Sequence, residues 1–134
     1  MIQTEKNKIS LKKKVLIPIP DKDFDTTEVA ITWKIFKENN MEVVFSTVEG
    51  AVGETDPLLL TGVIFGQLGA KPNAIAAYRE MQKSNEFLKP IKYDHIIPKD
   101  YDMLFLPGGH AKGMRPYLES KTLQNKIVEF FKLN

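Results

Sequence analysis

The unbroken apolar run Val15-Leu16-Ile17-Pro18-Ile19, closed by a second proline at Pro20, constrains this chain more than any other stretch. A segment that is apolar at every position has no polar face to offer water. It therefore suits a strand buried on both sides in a parallel sheet rather than an amphipathic edge. A polar loop follows, Asp21-Lys22-Asp23-Phe24-Asp25-Thr26-Thr27-Glu28, and it ends on a helix-start signal. Asp25 is placed to cap, and Glu28 three residues later completes a capping-box pattern. Val29, Trp33 and Phe36 then recur at i, i+4 and i+7, an apolar helical face that fades at Asn39-Asn40. Glu42-Val43-Val44-Phe45-Ser46-Thr47 is β-branched and aromatic and predicts a second strand. Strand, helix and strand with short connections make a right-handed βαβ unit.

Beyond it the pattern loosens. Residues 48–70 carry Gly50, Gly53, Gly62, Gly66 and Gly69 with a turn-like Thr55-Asp56-Pro57, which predicts a long connection with short helical turns. A helix is expected over Asn73–Ser84, where Ala74, Tyr78 and Met81 share a face. Residues 86–100 read as irregular, broken by Pro90 and Pro98. Asp102-Met103-Leu104-Phe105-Leu106 predicts a third strand, ended abruptly by Pro107-Gly108-Gly109-His110. A helical turn is expected near Arg115–Glu119. Ser120 then caps a final helix with Leu123, Ile127, Phe130 and Phe131 on its apolar face.

Composition bounds the function classes. The 134 residues are 43% hydrophobic and 27% charged, enough for one sizeable core and short for two domains. There is no cysteine, so these residues carry no disulfide, thiolate zinc site, CxxC redox motif or cysteine nucleophile. Over residues 1–14, Lys6, Lys8, Lys12, Lys13 and Lys14 stand against Glu5, so residues 1–13 form a basic lead-in. It lacks the aromatic interleaving of a nucleic-acid binder and reads as a solvated approach to the first strand. No apolar run approaches the ~20 residues of a membrane helix, and no apolar h-region follows the Lys-rich start. The expectation is a cytoplasmic protein with neither a nucleic-acid nor a membrane partner.

In an open α/β sheet, chemistry gathers outside the C-terminal ends of the strands. Two polar groupings fall there: the loop ending at Glu28, and Gly108-Gly109-His110. Glycines at a strand end let the backbone turn and present N–H groups that can cradle an oxyanion. A carboxylate at a helix start can orient or exchange a proton with a reacting group. Each residue also has a plainer reading: Glu28 as a helix cap, Gly108-Gly109 as a turn, His110 as a solvated loop histidine. His95 reads as structural and Trp33 as core. The glycine spacings fit neither GxGxxG nor GxxxxGK[ST], and no His, Asp or Glu grouping has metal-ligand spacing, so neither cofactor nor metal is expected.

Phe24-Asp25-Thr26-Thr27-Glu28-Val29-Ala30, followed by Glu42-Val43-Val44-Phe45-Ser46-Thr47, resembles the start of the ThiJ/PfpI family of class I glutamine amidotransferase-like proteins. Leu106-Pro107-Gly108-Gly109-His110-Ala111-Lys112-Gly113-Met114-Arg115 is similar to the family's second signature. Asp56-Pro57, Leu60-Thr61-Gly62, Ala77-Tyr78 and Met81 resemble a bacterial branch, and the likeness covers roughly residues 12–134. It implies a three-layer, flavodoxin-like parallel sheet that is incomplete on its C-terminal side. It also implies Glu28 as the active-site acid, Gly109 with Gly108 as the oxyanion hole, and His110 flanking it. In the family a further strand and a sharp turn bear the cysteine nucleophile, and here the sequence ends at Lys132-Leu133-Asn134. The expectation is one partial domain over 1–134, the N-terminal fragment of a cysteine-dependent hydrolase or glyoxalase-type protein, inactive unless complemented in trans.

The same reading leaves Met103-Leu104-Phe105-Leu106 as an apolar sheet edge that invites another chain. Association with a separate C-terminal half, or self-association through the strand containing Leu104, is expected. The alternative is a non-catalytic interaction or chaperone-like module using that edge.

Overall fold

A computed structural model describes residues 12–55, 71–109 and 112–133. In chain order the elements are β1 (Lys14–Pro18), β2 (Lys22–Phe24) and α1 (Thr32–Glu38), the last opened by a π-helical turn over Thr27–Ile31. They continue with β3 (Glu42–Thr47), β4 (Glu54–Thr55), α2 (Pro72–Met81), α3 (Asn85–Leu88), β5 (Ile91–Lys92) and β6 (Met103–Leu104). The chain closes with α4 (Arg115–Leu118) and α5 (Lys121–Leu133).

The apolar run does what its composition demands. Val15 to Ile19 is buried throughout, and β1 lies between β3 and β6 in a sheet ordered β5-β3-β1-β6, every pairing parallel. Val15 pairs with Val43 and Ile17 with Phe45, so the two apolar strands share one register. Alternation along the strand sends Leu16 to one face and its neighbours to the other. Leu16 and Leu104 line a small apolar cavity with Leu123, Ile127 and Phe130 of α5. Phe105, the residue after Leu104, meets Phe36 of α1 edge-to-face at 6.3 Å. Helices thus cover opposite faces, giving a three-layer α/β architecture of flavodoxin-like type.

The loop after β1 is anchored by aromatics. Phe24 is fully buried and packs edge-to-face on Tyr78 of α2 and Phe87 of α3, both at 6.2 Å, while Phe87 meets Phe45 of β3 at 5.4 Å. A hydroxyl chain fixes the loop's far end. The Thr55 hydroxyl donates to the Phe24 carbonyl at 2.8 Å, so the buried Thr26 hydroxyl must donate to Thr55 Oγ1 at 2.5 Å.

Several sequence expectations change. The irregular segment 86–100 contains α3, β5 and 3₁₀ turns at Tyr93–His95 and Pro98–Asp100. The second helix stops at Met81, because Ser84 caps α3 instead, accepting the Phe87 N–H at 3.3 Å. The third strand is shorter than Asp102–Leu106, although Asp102 and Phe105 N–H groups still donate to Lys14 and Leu16 carbonyls at either end of β6. Phe131 is 66% exposed: the buried stripe of α5 is Leu123 and Phe130, with Ile127 half-buried between them. Ser120 does cap α5, accepting the Leu123 N–H at 3.0 Å. His110, Asp56-Pro57, Leu60-Thr61-Gly62 and residues 1–11 of the basic lead-in lie outside the described residues.

Candidate active site

The two polar groupings meet where the C-terminal ends of β1 and β6 adjoin. Asp25 caps the first helix as its position predicts, accepting the Glu28 N–H at 2.9 Å. Glu28 does not complete the capping box. Its carboxylate turns away from the helix and accepts the Gly108 N–H at 2.5 Å. The Asp25 N–H, which a capping box would give to Glu28, donates to the Gly108 carbonyl at 3.2 Å. One glycine therefore takes both capping partners, one at its amide and one at its carbonyl. Glu28 is placed on the π-helical turn Thr27–Ile31, a local widening of the helix that recurs at functional sites.

Peptide geometry then assigns the directions. In a trans peptide the C=O and N–H point to opposite sides, and no cis bond occurs among the described residues. The Pro107–Gly108 peptide presents its N–H to Glu28, so its carbonyl faces the other way, where it accepts the Tyr117 hydroxyl at 2.9 Å. The Gly108–Gly109 peptide gives its carbonyl to Asp25, so the Gly109 N–H points away from that loop. Among the described residues it has no hydrogen-bond partner. Gly108 and Gly109 are half-buried and Glu28 is exposed, so the site is open to solvent.

Asp23 supports the turn from below. It has φ +71°, in the left-handed region that Asp tolerates better than most residues, at a register shift between β2 and β4. That bend brings its carboxylate to the Gly113 N–H at 2.9 Å. It also brings its carbonyl beneath Gly109, where an added Cβ would lie 2.9 Å from Asp23 O and 2.8 Å from Met114 Sδ. Glycine at 109 is thus required by close approach.

Burial shapes the phenol of Tyr117. Tyr117 is 6% exposed, and burial, then the charge of Glu28, pushes its hydroxyl pKa well above the ordinary value. It stays a neutral donor. Among the described residues no group of His, Asp or Glu is arranged to hold a metal ion. His95 sits exposed in a 3₁₀ turn, and Trp33 is core, its indole N–H donating to Glu86 at 3.2 Å. The sequence reading missed Asp23 and Tyr117. A charged residue in a short polar strand and a tyrosine after Arg115-Pro116 carry no periodic or motif signal. Only the folded positions reveal them.

The arrangement can orient a carboxylate beside a reacting atom and offer one backbone N–H to a developing oxyanion. The described parallel sheet, with helices on both faces, is that of the flavodoxin-like class of α/β proteins. Within that class this chain belongs to the ThiJ/PfpI-like family, whose family model, described as ThiJ/PfpI family-like, matches residues 19–134. An uncharacterized protein of Schizosaccharomyces pombe, C14C4.04, is 29% identical over 122 residues, which is 90% of this chain and 46% of that protein. The crystal structure of APC35852 superposes with a TM-score of 0.62 at 20% identity, covering 90% of this chain and 52% of that one. The chain thus spans about half the length of these relatives. Among the described residues no helix is long and apolar enough to cross a membrane.

Proposed function

We propose that this chain forms the acid-and-glycine half of a cysteine-dependent ThiJ/PfpI-type hydrolase or glyoxalase-type site. In this reading Glu28 is the acid, Gly109 with Gly108 frames the oxyanion position, and His110 flanks it. The nucleophile comes from residues other than these 134, which include no cysteine, and the chain alone turns nothing over. The observation that carries the reading is the Glu28 carboxylate held at 2.5 Å from the Gly108 N–H beside the C-terminal ends of β1 and β6. The relatives' greater length leaves room for a further strand and nucleophile. Sequencing the transcript beyond codon 134, in all frames, tests it together with a methylglyoxal and amidase assay of the chain. A downstream frame encoding an apolar strand followed by cysteine, with no turnover by the chain alone, supports the reading. Turnover by the chain alone, or no such frame, contradicts it.

A second reading rests on a different observation. Strand β6 lies at the edge of the described sheet, and Met103 and Leu106 are each 42% exposed there. Such an edge fits a non-catalytic interaction or chaperone-like module that self-associates through the strand containing Leu104. Sizing chromatography tests this: association that a charged substitution at Met103 abolishes supports it, and a monodisperse monomer contradicts it.

A further inference from the structure

The Pro107–Gly108 peptide is gripped at both ends by residues from opposite sides of the fold. Its N–H is held by Glu28 on the helix opening after β1, and its carbonyl by Tyr117 on α4. Neither flanking residue fixes the plane. Proline restrains its own φ and leaves ψ to rotate, and glycine accepts either sign of φ. A flip of this peptide would turn a carbonyl oxygen onto the Glu28 carboxylate, replacing a charge-assisted hydrogen bond with two facing oxygens. It would also leave the phenol of Tyr117, which is only 6% exposed, without its acceptor.

We propose that Tyr117 is a positioning residue whose hydroxyl, by holding the Pro107 carbonyl, fixes the Pro107–Gly108 peptide so that the Gly108 N–H is delivered to Glu28. The next peptide follows from this one. With Gly108 held, its carbonyl meets the Asp25 N–H and the Gly109 N–H is left facing outward. Among the described residues the Tyr117 hydroxyl bonds neither Glu28 nor the Gly108 amide; the bond it makes is to the Pro107 carbonyl. Burial and the Glu28 charge keep the phenol protonated, so the donor persists through the physiological range. The catalytic meaning of this grip rests on the reading of Glu28 and Gly109 given above; the grip itself is a property of these residues and is measurable without turnover.

The test is amide hydrogen exchange by NMR on the 134-residue protein and its Y117F variant, which loses only the hydroxyl. The readout is Gly108 exchange relative to the β1 amides, with Y93F as the control. Tyr93 is a second buried tyrosine, whose hydroxyl donates to the Ile19 carbonyl rather than to the Pro107–Gly108 peptide. In Y117F the Gly108 amide is expected to exchange about tenfold faster relative to β1, and in Y93F the ratio is unchanged. An unchanged Gly108 ratio in Y117F overturns the proposal, as does a change that moves Gly108 and β1 together or that Y93F reproduces. Because no turnover is measured, failure here leaves the proposed function standing, and failure of the transcript and activity tests leaves this grip standing.

Discussion

The Glu28 carboxylate reaches across 80 positions of sequence to accept the Gly108 N–H at 2.5 Å, while its capping partner Asp25 donates its own N–H to the same residue's carbonyl. A helix start and a strand end are thereby locked into one unit. The lock depends on both glycines, for different reasons.

Substituting the glycines should separate those reasons. A Cβ on Gly109 meets the Asp23 carbonyl, which is backbone and cannot yield, whereas a Cβ on Gly108 meets Glu28 Oε2 at 3.2 Å, the end of an exposed and flexible side chain. Urea unfolding should therefore show Gly109→Ala destabilised by about 2 kcal/mol and Gly108→Ala by less than about 1 kcal/mol. Equal losses would place the constraint elsewhere.

How much of this was legible from the residues depends on distance along the chain. The apolar run at Val15 and the caps at Asp25 and Ser120 are local signals, and local physics honours them. Strands β2, β4 and β5 are two or three residues long and partly polar, and they exist because neighbours distant in sequence supply their partners. The capping-box pattern was present at Glu28, yet the carboxylate abandoned it for Gly108, a partner that local spacing cannot reveal. Family resemblance named both residues; nothing in their spacing joined them. Phe131 failed in the opposite way, its helical spacing correct and its face uncovered among the described residues.

Ser46 is fully buried in β3, and its hydroxyl has no partner among the described residues. Its backbone is well used, the carbonyl accepting the Ile19 N–H at 2.8 Å. Removing only the hydroxyl relieves an unmet desolvation cost, so Ser46→Ala should stabilise the fold by about 0.5–1 kcal/mol in urea. A loss of similar size would reveal a partner for that oxygen.

Glu86 ties α3 to α1. It accepts the Trp33 indole N–H at 3.2 Å and pairs with Lys37 at 2.9 Å, with its side chain 13% exposed. Burial alone would raise its pKa, but the Lys37 hydrogen bond, backbone N–H and indole together outweigh it and hold the carboxyl below the ordinary 4.5. A depressed folded pKa contributes stability that is present above pH 4.5 and lost as pH falls through the folded value. Glu86→Gln should cost about 1 kcal/mol at neutral pH and flatten the acid limb of a stability-versus-pH curve. An acid limb identical to that of the wild type would assign the pH dependence to other carboxylates.

The alkaline limb has a separate origin. Burial first, then the charges of Asp100 and Glu42, pushes the Tyr101 hydroxyl up to about 12 from 10.0. The neutral phenol is favoured in the fold, so its contribution is complete below pH 10 and declines as pH rises toward about 12. Tyr101→Phe should make the loss of stability in that window shallower, read as the urea midpoint against pH. A slope as steep as in the wild type would show that Tyr78, Tyr93 and Tyr117, all also raised, carry the whole effect.

The pairing of Glu28 with Gly108 is open to direct observation. A long-range HNCO experiment detects scalar coupling across a hydrogen bond, here from the Gly108 amide nitrogen to the Glu28 side-chain carboxyl carbon. The expected result is a cross-peak linking the two, with the Gly108 amide proton shifted downfield and both signatures lost in Glu28→Ala while the β1 amides are unmoved. A Gly108 amide with no such coupling, and with the same shift in Glu28→Ala as in the wild type, would contradict the half-site at its foundation.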